Sequence, residues 1–292
     1  MYDHMTTAEV AAYLRLKERK VYDLVRQGQI PCVRITGKLL FPRQAVDLWV
    51  MNHLEGDQPT REPVPSVLAG SQDPLLDWAV RESGSELAVL CHGSGDGVRR
   101  LLEAKAMVAG LHLIDPVTGD SNRPQAIGLG GMRDLVIVRW AIRRQGLLFP
   151  RGNPKGIRSM QDLGRGNLRV AYRQPEAGAD SLFRWLLARC GLDRESLQFS
   201  PHASLTEDDL ALTVRAGEAD VGLAVEAAAR RHGLEFLPLH EEPFDLAMRR
   251  RSYFEPAIQR LLSFARSARF EERARAMGGY DVSTMAVVIY NA

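Results

Sequence analysis

Cysteine is scarce in this 292-residue chain. There are three, Cys32, Cys91 and Cys190, far apart and odd in number. That excludes a disulfide framework or a cysteine metal cluster as the basis of the fold, and it fits a reducing cytoplasm. No apolar run approaches the roughly 20 residues that a membrane helix needs, so no membrane partner is expected. The opening MYDHMTTAEV has neither a basic nor an apolar region of secretory type. Also missing are a P-loop, a G-x-G-x-x-G after a strand, an H-E-x-x-H and a G-x-S-x-G elbow. No Asp, Glu, His or Cys grouping has catalytic or metal-ligand spacing. The reading is therefore of a non-enzyme with no cofactor and no metal.

What is present is ordinary globular composition, 45% apolar and 25% charged. The length suggests two domains. Net charge is +2, but residues 1–54 hold eight Lys/Arg against five Asp/Glu, and the remainder holds thirty against thirty-one. Three of the five lysines (Lys17, Lys20, Lys38) fall in that first stretch. A small basic module followed by a large neutral one suits a phosphate backbone at one end and a different partner at the other. EGDQPTREPVPS at 55–66 has three prolines and few apolar side chains. It reads as a linker. The expected division is 1–55, a linker at 56–62, and 63–292.

The first module reads as helix, turn, helix, hairpin, helix. Thr6 or Thr7 caps a helix over about 7–14, with Glu9 in its first turn. A second over about 17–27 places Val21, Leu24 and Val25 on one face, and Gly28 stands at a C-cap position. Cys32–Ile35 and Leu39–Phe41 flank a turn at Thr36-Gly37-Lys38. A third helix runs from Pro42 to about His53. In a helix-turn-helix the second helix enters the major groove. Lys17, Arg19 and Lys20 at its start can reach guanine edges or phosphates. Tyr22 can touch phosphate or a thymine methyl. Arg34 and Lys38 on the hairpin are candidates for backbone or minor-groove contacts, and Arg43 beyond it for a phosphate contact. The segment resembles the excisionase-type, MerR-like winged helix-turn-helix. The resemblance rests on T-x-x-E-x-A-x-x-L, V-Y-x-L-V-R-x-G-x-I-P, Gly37-Lys38 and the closing V-D-x-W. It implies double-stranded DNA as partner and a homodimer on two half-sites.

The second module alternates apolar runs with helical patterns, which suggests an α/β fold with mostly parallel strands, in two lobes around a cleft. Strands are expected at Val64–Ala69, Leu87–Cys91, Leu111–Ile114, Leu135–Arg143, Leu168–Tyr172, Val221–Val225, Phe236–Leu239, Leu246–Met248 and Met285–Ile289. Val80, Leu87, Val89, Leu90, Val170, Val221 and Leu223 are core candidates. Gly70-Ser71-Gln72-Asp73-Pro74 and His92-Gly93-Ser94-Gly95 each follow a strand and open a helix. Glycine lets a ligand approach the backbone, and the helix N-terminus offers free N–H groups. Arg173 through Asp180 is a third turn of this kind.

These stretches, together with AGLHLIDP, QGLLFPRGNPKGI and ADVGLAVEAAA, resemble a type II periplasmic-binding-protein-like sensor family related to molybdate- and tungstate-binding proteins. The resemblance covers about 64–290. It implies ligand contacts from Ser71, Gln72, Ser94, His112, Asn122, Arg173, Gln174, Gly178, Ala179, Asp180 and Glu226. Gln72 replaces a usual His, and Ala179-Asp180 replaces a usual Thr-Arg. Losing a cation and gaining a carboxylate removes anion donors, so both an oxyanion and a neutral or amine-bearing ligand stay open. The expected function is a ligand-responsive transcription regulator. The alternative is a small-molecule or cofactor-biosynthesis enzyme whose helix-turn-helix is an interaction module.

Overall fold

A computed structural model describes residues 4–35, 37–52 and 64–292. The chain divides into two compact units, Met1–Pro63 and Val64–Ala292. The expected linker at 56–62, Thr36 of the hairpin turn and His53 at the end of the third helix lie outside the described residues.

In the first unit, β1 (His4–Met5) leads into α1 (Thr7–Tyr13). Thr6 and Glu9 form a reciprocal capping box at its start. Helix α2 spans Glu18–Arg26. A hairpin of β2 (Val33–Ile35) and β3 (Lys38–Pro42) follows, and α3 (Arg43–Asn52) closes the unit. β1 pairs with the outer side of β3, so the wing has three strands in the order β1-β3-β2. Val10, Ala11, Val21, Leu24, Ile30, Phe41 and Val46 form the core. Helical spacing in the sequence places Val21 and Leu24 of these inward.

The second unit is built on a ten-stranded sheet. Its first elements are β4 (Val67–Gly70), α4 (Pro74–Glu82), β5 (Ala88–Leu90), α5 (Ser94–Leu102) and β6 (Val108–Leu111). A 15-residue strand β7 (Leu135–Phe149) follows. Then come β8 (Arg169–Ala171), α6 (Gly178–Arg189), β9 (Gln198–Phe199), α7 (Glu207–Arg215), β10 (Val221–Val225) and α8 (Glu226–His232). A second 15-residue strand, β11 (Glu235–Arg249), crosses back. The chain finishes with α9 (Arg250–Tyr253), α10 (Pro256–Ala265), α11 (Ala268–Met277), β12 (Tyr280–Asp281) and β13 (Val288–Asn291).

The strand order is β5-β4-β6-β11-β7-β10-β8-β9, with β12 and β13 also on β7. Short parallel groups, β5-β4-β6 and β10-β8-β9, lie at the two ends. Between them β7 and β11 run antiparallel over their whole length, with register shifts at Pro238/His240 and Phe244/Asp245. The expectation of a mostly parallel sheet is corrected here. Each lobe is parallel, but the long antiparallel pair joins them. One end of β7 (Val136, Val138, Trp140) packs into a core with α4, α10 and α11. Its other end (Leu147, Phe149) packs with α6 and β10. At about 3.3 Å per residue each strand is roughly 50 Å long, enough to serve both lobes. The middle of the pair is thus the crossover between the lobes.

Two core assignments also change. Val89 and Leu90 are 47% and 37% exposed, because β5 is an edge strand. Leu87 beside them is buried.

Candidate functional site

Close glycine packing builds the first wall of the site. Gly70 ends β4 at φ +93°, and a Cβ there would lie 2.3 Å from the Gly110 carbonyl oxygen. A Cβ on Gly97 would lie 2.5 Å from the Gly70 Cα. With no side chains at these points, α5 seats directly on the ends of β4 and β6. The Ser71 amide donates to the Gly110 carbonyl (2.8 Å), and the Gly93 amide donates to the Gly70 carbonyl (2.9 Å). The two strand-to-helix turns are thereby locked together. Their serines meet, with Ser71 Oγ and Ser94 Oγ 2.8 Å apart and both buried. The His112 amide, just past β6, donates to Ser94 Oγ at 3.2 Å.

The second lobe closes against this wall at the start of α6. A Cβ on Gly178 would lie 2.5 Å from the His112 carbonyl oxygen and 2.6 Å from its ring. The Gly95 amide donates to the Glu176 carbonyl at 3.3 Å. Two helix N-termini, of α5 and α6, face the same small region. The turns after β4 and β5 and the start of α6 thus meet at one point.

Beneath the serines lies a buried ionic cluster on the crossover strands. The guanidinium of Arg143, fully buried, donates to Asp73 at 3.1 Å and to Glu242 at 2.5 Å. Gln145 donates to the same Glu242 oxygen at 3.1 Å. His112 Nδ1 lies 2.8 Å from the other Glu242 oxygen. The Tyr280 hydroxyl donates to Asp73 at 2.8 Å. Phe244 forms one face of the cluster, with Arg143 4.4 Å above its ring and His112 stacked at 5.6 Å. Burial works against the charged form of Glu242, yet His112 and Arg143 beside it hold its carboxyl down to about 2. Burial likewise opposes the charge on Arg143, but Glu242 and Asp73 raise its pKa further still. Arg143 Nε and Gln145 Oε1 are buried without a hydrogen-bond partner. A buried donor and a buried acceptor left without partners are costly, and a polar group that reached them would recover that cost.

The remaining expected ligand residues are held by protein partners. Asn122 binds Asp245 (2.7 Å), the Leu113 amide (2.8 Å) and the Leu111 carbonyl (3.1 Å). Arg173 donates to the Ser204 and Leu205 carbonyls and lies 3.2 Å from Glu207. Gln174 lies beside it, its amide 3.4 Å from the Leu205 carbonyl. Gln72 donates to Asp77 at 2.7 Å. Asp180 in the first turn of α6 is taken up by Arg184 (2.7 Å) and Arg194 (3.1 Å), and Ala179 is buried beside it. Glu226 is held by Arg144 (2.9 Å) and Arg230 (2.7 Å). Burial, with Asp77, Asp96 and Asp73 nearby, pushes the Cys91 thiol up to about 12, which disfavours the thiolate.

Sequence reasoning missed Asp73 as a cleft residue, together with Arg143, Gln145, Glu242 and Tyr280. The available signal was the run VIVRWAIRRQGLLF, where charge interrupts an otherwise apolar strand. A buried charge at such a point needs a partner and marks a position of consequence.

In the first unit, Lys17, Arg19, Lys20, Arg34 and Lys38 are exposed, and no ion pair engages them among the described residues. Tyr22 is 47% exposed on the same helix start. Arg43 differs. Its guanidinium lies 5.1 Å from the Tyr13 ring centre, and the Tyr13 hydroxyl donates to Asp47 at 2.6 Å.

Comparison with known proteins follows this division. A PBP superfamily domain is matched over residues 77–266, and a helix-turn-helix domain over residues 5–53. The chain belongs to the PBP superfamily and carries an N-terminal helix-turn-helix domain. Over 303 aligned residues it is 24% identical to "Uncharacterized protein YvgK" of Bacillus subtilis (strain 168), covering 97% of both chains. Among solved structures, a putative phosphate ABC transporter substrate-binding protein with bound phosphate from Clostridium perfringens superposes with a TM-score of 0.53. It is 11% identical and covers 76% of this chain and 98% of its own. The effector-binding domain of QuiR in complex with shikimate gives 0.50 at 12% identity, covering 71% and 96%. A Corynebacterium glutamicum OxyR C206 mutant gives 0.50 at 13% identity, covering 93% and 90%. These likenesses show the fold. Among the described residues, no helix is long and apolar enough to cross a membrane.

Proposed function

We propose that the chain is a cytoplasmic, ligand-responsive DNA-binding transcription regulator. The helix-turn-helix unit, assigned to 1–55, reads an operator as part of a homodimer. The bilobal unit, assigned to 63–292, closes on a small ligand and resets the geometry between two readers. One observation carries the reading. A buried pair of serine hydroxyls with the His112 amide, at an interlobe contact, occurs in a chain whose other unit exposes Lys17, Arg19, Lys20, Arg34 and Lys38, with no ion pair to them among the described residues. Closure changes DNA affinity only as far as the ligand prefers one conformation to the other.

The ligand class supported best is a small oxyanion such as molybdate, tungstate, sulfate or phosphate. The Ser71–Ser94 pair leaves one hydroxyl proton to donate, with Ser94 Oγ held by the His112 amide; the starts of α5 and α6 supply amides, and Arg143 Nε remains unsatisfied. The carboxylate that argued most against an anion, Asp180, is consumed by Arg184 and Arg194. An amine would need a free carboxylate, and Asp73, Glu226 and Glu242 each already face a guanidinium. The close approach of Gly178 to His112 favours a ligand of few atoms.

A thermal-shift series with these four anions, and with small organic acids and amines as controls, tests the assignment. One oxyanion is expected to stabilise the wild type by several degrees, and Ser71→Ala with Ser94→Ala is expected to abolish the response. An undiminished response in the double variant overturns the cleft assignment.

A further inference from the structure

A second cavity, of about 470 Å³, lies in the second lobe away from the serine pair. Its volume is within the usual range for small-molecule sites. Its walls come from three places: the turn after β7 (Pro150, Arg151), the last turn of α7 (Arg215), and the end of α8 (Arg230, Arg231, His232). Four guanidiniums and an imidazole line it, and no carboxylate does.

Basic residues in a last helical turn complement the helix dipole, which accounts for Arg215, Arg230 and Arg231 one at a time. It does not account for Arg151, which follows a strand. Nor does it explain why four like charges share one cavity. The carboxylates nearby sit behind the wall as supports. Glu226 holds Arg230 at 2.7 Å, and Asp208 holds Arg231 at 2.5 Å and His232 at 2.8 Å. Arg151 donates to the Gly233 carbonyl at 2.9 Å, so it too is oriented. The Arg215 side chain makes no hydrogen bond or ion pair among the described residues. Three positioned guanidiniums and one free one make a donor set for phosphate oxygens, which Arg binds bidentately. Only Pro150 and Leu234 offer apolar surface, and no Phe, Tyr or Trp is among the described lining residues.

We propose that this cavity is a second anion site, separate from the interlobe cleft, that takes a compact, multiply charged phosphate anion. An occupant would tie α7 and α8 to the ends of both crossover strands, since Phe149 and Glu235 are paired there.

The test is calorimetric titration of the full chain with sodium tripolyphosphate at two salt concentrations. Binding to one site is expected, weaker at the higher salt. The Arg151→Ala, Arg215→Ala double variant should bind about tenfold more weakly or worse. Arg215→Ala alone removes a side chain without a partner, so a normal melting curve with weakened binding separates the site from any folding defect. Ser71→Ala with Ser94→Ala should leave tripolyphosphate binding unchanged. The proposal is overturned if binding is not saturable, if it survives the arginine variants, or if the serine variant alone removes it. It is equally overturned if the arginine variants weaken duplex DNA binding while tripolyphosphate does not bind.

Discussion

The two units treat charge in opposite ways. In the helix-turn-helix unit the cations at the start of α2 and on the hairpin are exposed, with no ion pair among the described residues. In the bilobal unit the charges around the interlobe contact are matched, Arg143 to Asp73 and Glu242 and Arg173 to Glu207 where buried, and half-buried Arg139 to Asp245. Loose cations suit a polyanion, whose attraction is long-ranged and tolerant of geometry. Fixed donors suit a ligand of few atoms, where a misplaced dipole costs affinity. The contrast makes a practical distinction. Variants in the bilobal unit should act first on stability and ligand response, and variants in the small unit should act on DNA with little effect on stability.

The largest expected effect is at Glu242. Glu242→Gln leaves Arg143 with half its compensation in a site closed to water. Breaking a buried pair of this kind costs about 3–5 kcal/mol, measurable by urea unfolding of the variant against wild type. A loss below about 1 kcal/mol, the range of a surface ion pair, would mean that the cluster is wetter than its burial implies.

Acid titration sharpens the same point. The Glu242 carboxyl sits at about 2 in the folded chain against 4.5 ordinarily. Its stabilisation is fully present above about pH 4.5 and drains away as pH falls toward 2, by on the order of 3 kcal/mol at most. Asp245 works the other way. Burial raises its pKa despite Arg139 and Asn122, so its protonation offsets part of the loss. Stability curves collected from pH 6 to pH 2.5 should therefore fall for wild type and flatten for Glu242→Gln.

Gly178→Ala comes next. The new Cβ would meet the His112 carbonyl oxygen, a backbone atom that cannot swing aside, at 2.5 Å. Overpacking costs about 1–3 kcal/mol, and here it props the lobes apart. The variant is expected to lose ligand-induced stabilisation while binding DNA as wild type does without ligand. Retained ligand response would show that the observed closeness of α6 and His112 is not the liganded arrangement.

The smallest change in stability belongs to the small unit. Lys20→Ala and Lys17→Ala should each shift stability by less than about 0.5 kcal/mol. Each should also weaken DNA binding and lower the salt slope by about one. Fluorescence anisotropy at several salt concentrations reads this directly. An unchanged slope would remove that lysine from the interface.

Local rules made the small unit legible. Its helices follow 3.6-residue spacing, and the capping box at Thr6 and Glu9 can be read from the letters alone. The glycine-serine turns of the larger unit were equally visible, because a helix start after a strand has a short-range signature. The crossover strands were not. The expected strand stopped at Arg143, where β7 runs on to Phe149, and two short segments replaced the single β11. Both breaks fall where polar residues interrupt the apolar pattern, and those residues, Arg143, Gln145 and Glu242, form the ionic cluster. Their pairing spans about a hundred residues of chain, which no local period encodes. The edge position of β5 was hidden for the same reason, since strand order is a property of the assembled sheet.

Operator binding measured with and without the stabilising oxyanion, in wild type and in the Ser71→Ala, Ser94→Ala double variant, tests the central claim most directly. The account predicts that the anion changes wild-type operator affinity severalfold and leaves the double variant unmoved, while both proteins bind the operator equally without it. Identical anion-free and anion-bound affinities in the wild type, at an anion concentration that saturates the thermal shift, would contradict it.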